Sequence, residues 1–213
     1  MGSDLPKQYL LIDGIPIMIH TVRKFLQCPL VDAIVICVPR DYLAYTRALL
    51  AGFPDVAQAG ERVSVTEGGA DRTGSLENAC RFFAGGRDIG EEDVLITHDC
   101  VRPFVTEEMI TDSVKKAKDY GGATAAMPCV DTICVSRDGI VIDSVPHRAE
   151  LYNVQTPQTF RMKEFCEILY SLTEEEKSLV TDASAVFRLR GRTVVLSAGS
   201  PSNRKITHPG DIK

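Results

Sequence analysis

The chain has no surplus of positive charge, no apolar run of membrane length, no paired cysteine motif and no repeated or low-complexity segment. Each absence removes a class of function. With 24 Lys and Arg against 29 Asp and Glu, the formal net charge is −5. No broad basic face for nucleic acid is expected, although an acidic chain can still gather cations locally around a phosphate. The longest apolar stretches, such as 33–38, are strand-length and far short of the ~20 residues of a membrane helix. No membrane association is therefore expected, and the opening residues do not read as a secretory signal. The seven cysteines (Cys28, Cys37, Cys80, Cys100, Cys129, Cys134 and Cys166) are odd in number, lack C-x-x-C spacing and mostly lie in apolar runs. That is poor material for zinc or a disulfide framework, and they read as reduced core thiols of a cytoplasmic protein. Cys100, which follows His98 and Asp99, could act as a nucleophile, but burial accounts for most thiols.

What is present is the composition of one globular domain over 1–213, with 44% hydrophobic and 25% charged residues. Short β-branched runs alternate with longer amphipathic segments. Helices are predicted over 16–26, 41–50, 71–83, 106–119, 163–171 and 182–189, and strands over 33–38, 63–66, 94–98, 123–127 and 193–196. This is the pattern of an α/β fold with a mostly parallel sheet flanked by helices. It breaks at 131–155, where the apolar runs 132–136 and 140–145 flank Arg137-Asp138-Gly139. Such an inserted β-hairpin must cover its apolar face, and a partner subunit is one candidate. Both ends read as cut: 1–6 is a loop with no strand before it, and 209–213 reads as the opening of a helix.

Polar residues cluster where predicted strands end, the usual ligand edge of an open α/β sheet. Gly68-Gly69, at a strand-to-helix junction, can bring backbone N–H groups against a base or phosphate, with Ser75 in the first helical turns; a plain turn has the same sequence. Asp99 and Arg102 leave the end of the 94–98 strand together. The carboxylate could hold Mg²⁺ and the guanidinium could grip a phosphate, or the two could form a structural pair that orders the loop. His98 reads as a packed or loop-capping histidine rather than a base. Lys7 and Lys205, taken singly, read as solvated surface lysines.

Taken together, these residues fall into one ordered set: Pro6-Lys7-Gln8-Tyr9-Leu10, Gly68-Gly69-Ala70-Asp71-Arg72, His98-Asp99 with Val101-Arg102-Pro103-Phe104, Asp131-Thr132, Gln155 to Phe160, Thr181-Asp182-Ala183-Ser184, and Asn203 with Lys205 and Thr207. The set resembles the 2-C-methyl-D-erythritol 4-phosphate cytidylyltransferases and their relatives, the ribitol 5-phosphate cytidylyltransferases, over essentially the whole chain. The resemblance implies a Rossmann-like nucleotidyltransferase fold, CTP and Mg²⁺ as reactants, a polyol phosphate as acceptor, and a homodimer joined through a β-arm at about 131–155. It implies in-line attack of the acceptor phosphate on the α-phosphorus of CTP, with pyrophosphate leaving.

By the same resemblance Lys7 would stabilise the triphosphate, and Gly69, Ala70 and Ser75 would contact the cytosine or its ribose. Asp99 would sit by the metal and Arg102 by the acceptor. Thr132 and Arg148 would reach the neighbouring subunit's substrate, Lys205 would orient the attacking phosphate, and Thr181 would touch the polyol. The family places a strand and a Gly-Gly-x-Gly-x-Arg loop before the Met-Gly that opens this sequence, so weak CTP binding is expected of the chain as written. The acceptor is read as methylerythritol phosphate, for isoprenoid synthesis. The alternatives are ribitol 5-phosphate, for CDP-ribitol, and a non-catalytic nucleotide- or sugar-phosphate-binding protein on the same fold.

Overall fold

The structure, a computed structural model, describes residues 6–86, 88–207 and 209–212. The expected opening loop therefore lies outside the described residues except for Pro6. At the other end, the expected helix opening is a 3-10 turn at Pro209–Ile212.

After a 3-10 turn at Lys7–Tyr9 comes a small hairpin of β1 (Leu11–Ile12) and β2 (Ile15–Pro16). Its two linking residues, Asp13 and Gly14, both have positive φ (50° and 78°), as the tightest hairpin turn requires. Helix α1 (Ile17–Gln27) buries Met18, Val22 and Phe25, a spacing that keeps one face apolar. Strand β3 (Ile34–Val38) leads through α2 (Leu43–Ala51) and the short α3 (Pro54–Ala57) to β4 (Val63–Glu67), which pairs with β3 in parallel from Ile34↔Val63 to Val38↔Glu67. Next come α4 (Arg72–Gly86), β5 (Val94–Thr97) and α5 (Glu107–Tyr120). Helix α5 is capped by Thr106, whose hydroxyl accepts from Met109 N, and is ended by Gly121 at φ 94°.

Strand β6 (Gly122–Pro128) is followed by the projecting segment 129–151 and then β7 (Tyr152–Arg161). Helices α6 (Met162–Tyr170), α7 (Glu174–Ser178) and α8 (Ala183–Arg188) precede β8 (Val195–Ala198). The larger sheet runs β5-β7-β6-β8; β7 is antiparallel to both neighbours, and only β6 and β8 are parallel within it. The sheet is thus mixed, not mostly parallel as the alternation suggested. The source of the error is β7, whose Gln155, Thr156, Gln158 and Thr159 are buried polar residues around a proline. The β6–β7 register shifts between Thr124 and Ala126. That bulge accommodates Pro157, which has no N–H to give to the ladder.

The expected hairpin strands at 132–136 and 140–145 are also absent from the described residues, where one bridge, Val135↔Ser144, joins the two sides. A Cys129 N–H bond to Leu151 O (2.9 Å) closes the base of this arm. Two chain segments without a third strand or a covering helix do not hold a ladder by themselves.

The core falls into three clusters around this frame. On one face the rings of Phe160, Phe165 and Phe187 cluster with centroids 4.8–6.0 Å apart, and Leu169 and Val186 pack with them. On the other, α1 packs with β3 and α5 through Val22, Phe25, Ile36 and Ile110. All seven cysteines are free: Cys28, Cys80 and Cys166 are core residues as expected, while Cys134 is exposed on the arm. No helix of the described residues is long and apolar enough to cross a membrane.

Candidate active site

Three loops meet beyond the ends of β3, β4 and β5. The first follows β4. Gly68 N donates to Val38 O (2.8 Å), and the chain then folds tightly onto the start of α4. A Cβ on Gly69 would lie 2.4 Å from the backbone carbon of Gly74, so only glycine fits there. Asp71 caps the helix by accepting from Gly74 N (2.7 Å), and Gly69 N donates to Ser75 Oγ (3.0 Å), which donates on to Asp71 O (2.9 Å). The Ser75 hydroxyl is therefore a brace of this turn as well as a candidate nucleotide contact.

The second loop, 98–102, follows β5, and the third, 203–207, is pinned to it by Ile206 N donating to Val101 O (2.9 Å). Asp99 lies where the three converge. Arg72 Nη2 is 3.4 Å from its Oδ1, and Arg102 Nε and Lys205 Nζ are 3.1 and 3.2 Å from its Oδ2. Burial pushes the Asp99 carboxyl up, but Lys205, the Arg102 bond and Arg72 outweigh it and hold the carboxyl below its usual range. Three cations surround one carboxylate, so the cluster carries a surplus of positive charge suited to phosphate oxygens.

Behind the cluster is a buried polar layer. Arg102 Nη1 donates to Asn203 O (2.8 Å), and the fully buried Asn203 donates from Nδ2 to Thr156 O (2.8 Å) and Gln155 Oε1 (3.1 Å). Thr156 Oγ1 accepts from Asp99 N (3.1 Å) and bonds His98 Nδ1 (2.9 Å), while His98 Nε2 lies 3.1 Å from Arg102 O. Burial pushes His98 down to about 4, its bond to the Arg102 carbonyl opposing this, so the ring is neutral at neutral pH.

Among the expected site residues, Asp99, Arg102 and Lys205 are brought together, with Gly69, Ala70 and Ser75 on the adjoining turn. Lys7 is exposed on its 3-10 turn, whose Tyr9 shares a core patch with Cys100 and so stands beside the 98–102 loop. Thr181 is exposed just before Asp182, the cap of α8, whose Oδ2 accepts from Gln158 Nε2 (2.7 Å). Thr132 and Arg148 are exposed on the arm; Arg148 donates to Val130 O (3.3 Å), and neither joins the Asp99 cluster within this chain. Arg72 received no role from the sequence, although it stands in the Gly68 motif. Thr156 and Asn203 were likewise visible in their motifs without a stated task. The Cys100 thiol is pushed up to about 11, by burial first and by Asp99, which removes the thiolate a nucleophile needs.

The described residues contain no group of three His, Cys, Asp or Glu arranged for a metal. A resident cation would have to compete with Arg72, Arg102 and Lys205 for Asp99. A single carboxylate among three cations suits a magnesium ion that arrives already bound to a phosphate ligand and keeps its phosphate and water ligands.

The family model described as 2-C-methyl-D-erythritol 4-phosphate cytidylyltransferase matches residues 1–213. The chain belongs to this family. Its fold is accordingly the Rossmann-like nucleotidyltransferase fold of the cytidylyltransferases, which use CTP and a polyol phosphate. A protein of Streptococcus pneumoniae (strain ATCC 700669 / Spain 23F-1) named ribitol-5-phosphate cytidylyltransferase is 40% identical over 211 residues, covering 99% of this chain and 89% of the relative. Among solved structures, the 4-diphosphocytidyl-2C-methyl-D-erythritol synthase of Anaerococcus prevotii superposes with a TM-score of 0.80 at 26% identity, covering 99% of this chain and 88% of the other. The 2-C-methyl-D-erythritol 4-phosphate cytidylyltransferase of Thermus thermophilus gives 0.74 at 25% identity, covering 97% and 90%. A cytidylyltransferase must hold a triphosphate beside a second phosphate, and the cluster around Asp99 has the charge for that task.

Proposed function

We propose that the protein transfers CMP from CTP to ribitol 5-phosphate, forming CDP-ribitol and releasing pyrophosphate. The supporting observation is the 40% identity, across almost the whole chain, to a protein named for that acceptor. Methylerythritol phosphate, the acceptor first read from the sequence, becomes the second reading; the description of the family model and the solved relatives favour it.

The reaction needs no covalent enzyme intermediate. A phosphate oxygen of the acceptor attacks the α-phosphorus of CTP, the bond to the β-phosphate bridging oxygen breaks, and pyrophosphate leaves with the electron pair. Asp99 is the carboxylate that would hold a magnesium ion brought in with CTP, and that ion would supply charge neutralisation of the triphosphate. Catalysis then rests on position and charge. Lys205 and Arg102 orient the attacking phosphate, Arg72 and Lys7 face the triphosphate, and the backbone of Gly69 and Ala70 approaches the nucleotide over a turn braced by Ser75. Thr181 faces the polyol. The arm, with Val130, Ile140, Val141, Ile142 and Val145 exposed, joins two copies into a homodimer and carries Thr132 and Arg148 to the partner's acceptor. The enzyme works in the cytoplasm, free of membrane and nucleic acid.

The test is pyrophosphate release from CTP-Mg²⁺ with each acceptor in turn. A kcat/KM at least about tenfold higher for ribitol 5-phosphate, the discrimination that one or two pocket contacts supply, is expected. The reverse preference establishes the second reading, and release with neither acceptor rejects both.

A further inference from the structure

The hydrogen bonds around His98 have only one consistent direction. A backbone carbonyl can only accept, so Nε2 must carry the proton that bonds Arg102 O (3.1 Å). In a neutral ring Nδ1 is then bare and accepts from the Thr156 hydroxyl (2.9 Å), which itself accepts from Asp99 N (3.1 Å). Arg102 N donating to Asp99 O (3.0 Å) closes the circuit. The imidazole thus fills the inside of the 98–102 turn, with Phe25 packed 4.9 Å from it, and joins the two residues whose side chains form the Asp99–Arg102 pair. The mechanism above gives this ring no chemical step.

We propose that His98, through Thr156, is a positioning residue: in one fixed tautomer it sets the separation and aim of Asp99 and Arg102 toward the acceptor phosphate. The catalytic part of this inference rests on the proposed transferase reaction, whereas the tautomer does not. Thr156 serves the same end from both sides, because its carbonyl also accepts from Asn203 Nδ2 (2.8 Å), and the Asn203 backbone carbonyl accepts from Arg102 Nη1 (2.8 Å). One β7 residue therefore links the 98–102 loop to the 203–207 loop that carries Lys205.

The variants separate the two ends of the ring. His98→Gln can keep a donor near Arg102 O but gives Thr156 no acceptor, and Thr156→Val removes the hydroxyl while keeping its shape. Thr156→Ser keeps the hydroxyl. The expected result is a loss of about 10–100-fold in kcat/KM for the polyol phosphate in both His98→Gln and Thr156→Val. The KM for CTP should stay near native, Thr156→Ser should retain most activity, and the double variant should be no worse than either single one. Variants that lose thermal stability but keep native kinetic constants would show a structural role only and overturn the proposal, as would multiplicative losses. A second measurement needs no activity. The ¹⁵N ring signals of His98 in the native protein should show a protonated Nε2 and a bare Nδ1, and the Asp99 amide should shift in Thr156→Val. An Nδ1–H tautomer refutes the relay. If the native protein releases no pyrophosphate with either acceptor, the proposed reaction fails while the ring signals still decide the positioning circuit.

Discussion

The Asp99 cluster and the arm at 129–151 are built in opposite ways. The cluster is assembled inside one chain: its carboxylate is held by three cations, its loops are tied to each other, and its backing side chains are buried. The arm has one β-bridge and a row of apolar side chains, with Ile140 88% exposed. Pre-ordered dipoles and charges are what a phosphoryl-type transfer needs, since they cost no reorganisation during reaction. An apolar row in water is what an association surface needs. The difference predicts that lesions in the cluster will cost chemistry with little change in assembly, whereas lesions in the arm will cost assembly first, and chemistry only by withdrawing Thr132 and Arg148 from the partner's acceptor.

The largest effect should come from Lys205→Met. This removes one of the three cations while keeping much of the side-chain volume, and leaves Asp99 paired with Arg72 and Arg102. Loss of a pre-placed group that stabilises developing charge typically costs about 10²–10³-fold in kcat. Lys205 is part exposed, so its ion pair should contribute at most ~1 kcal/mol to stability, and the melting temperature should barely move. Steady-state pyrophosphate release together with thermal unfolding checks both statements. An activity within about threefold of native would remove Lys205 from the chemistry and break the comparison.

This contrast was only partly legible in the sequence. The β3–β4 unit announces itself by short β-branched runs, and the helices α1, α5 and α6 by a single apolar face with helical period. Strand β7 does not, because it buries glutamines and threonines that bond to other parts of the chain and contains a proline at a bulge. The arm misleads in the other direction: its β-branched residues read as strands, but within one chain nothing covers them. Asp99, Arg102 and Lys205, which the structure brings together, were named as candidates from their motifs and the family resemblance. Arg72 lacked a role because its partner is 27 residues away, and the task of Thr156 depends on His98, 58 residues distant. Sequence pattern reports local periodicity, whereas these bonds exist only once the β5, β7 and 203–207 segments are adjacent.

A smaller effect, opposite in kind, is expected from Ile140→Asp. If the arm seats against a second copy, losing the burial of one isoleucine removes about 1.5–3 kcal/mol, which is roughly 10–100-fold in the dimer dissociation constant. Because Ile140 is exposed within its own chain, folding of the protomer should be unaffected. Sedimentation over a dilution series measures the shift. An unchanged association constant would mean that the exposed row is not the joining surface, and that Thr132 and Arg148 reach no neighbouring site through it.

The smallest effect should come from the tip of the arm. Asp138 Oδ1 accepts from the backbone N–H of both Ile140 and Val141 (2.9 Å each), with Gly139 at φ 73° completing the turn. The bonds from Val141 N and Ile140 N hold the Asp138 carboxyl below its usual value. A carboxylate lowered on folding orders the turn fully above its unfolded pKa, near 3.8, and that contribution fades as pH falls through the lower folded value. Asp138→Asn keeps an acceptor oxygen in the same place, whereas Asp138→Ala leaves both N–H groups to water. Asp138→Ala should therefore weaken association by a few-fold and raise hydrogen exchange at Ile140 and Val141, with Asp138→Asn close to native, and with kcat at saturating protein unchanged in both. The same two amides should lose protection in the native protein as the pH is taken below ~3.8. Equal exchange in the alanine and native proteins would show that the turn is held by its glycine and the partner's surface, not by Asp138. The arm would then owe its shape entirely to association, which would sharpen its contrast with the self-assembled cluster at Asp99.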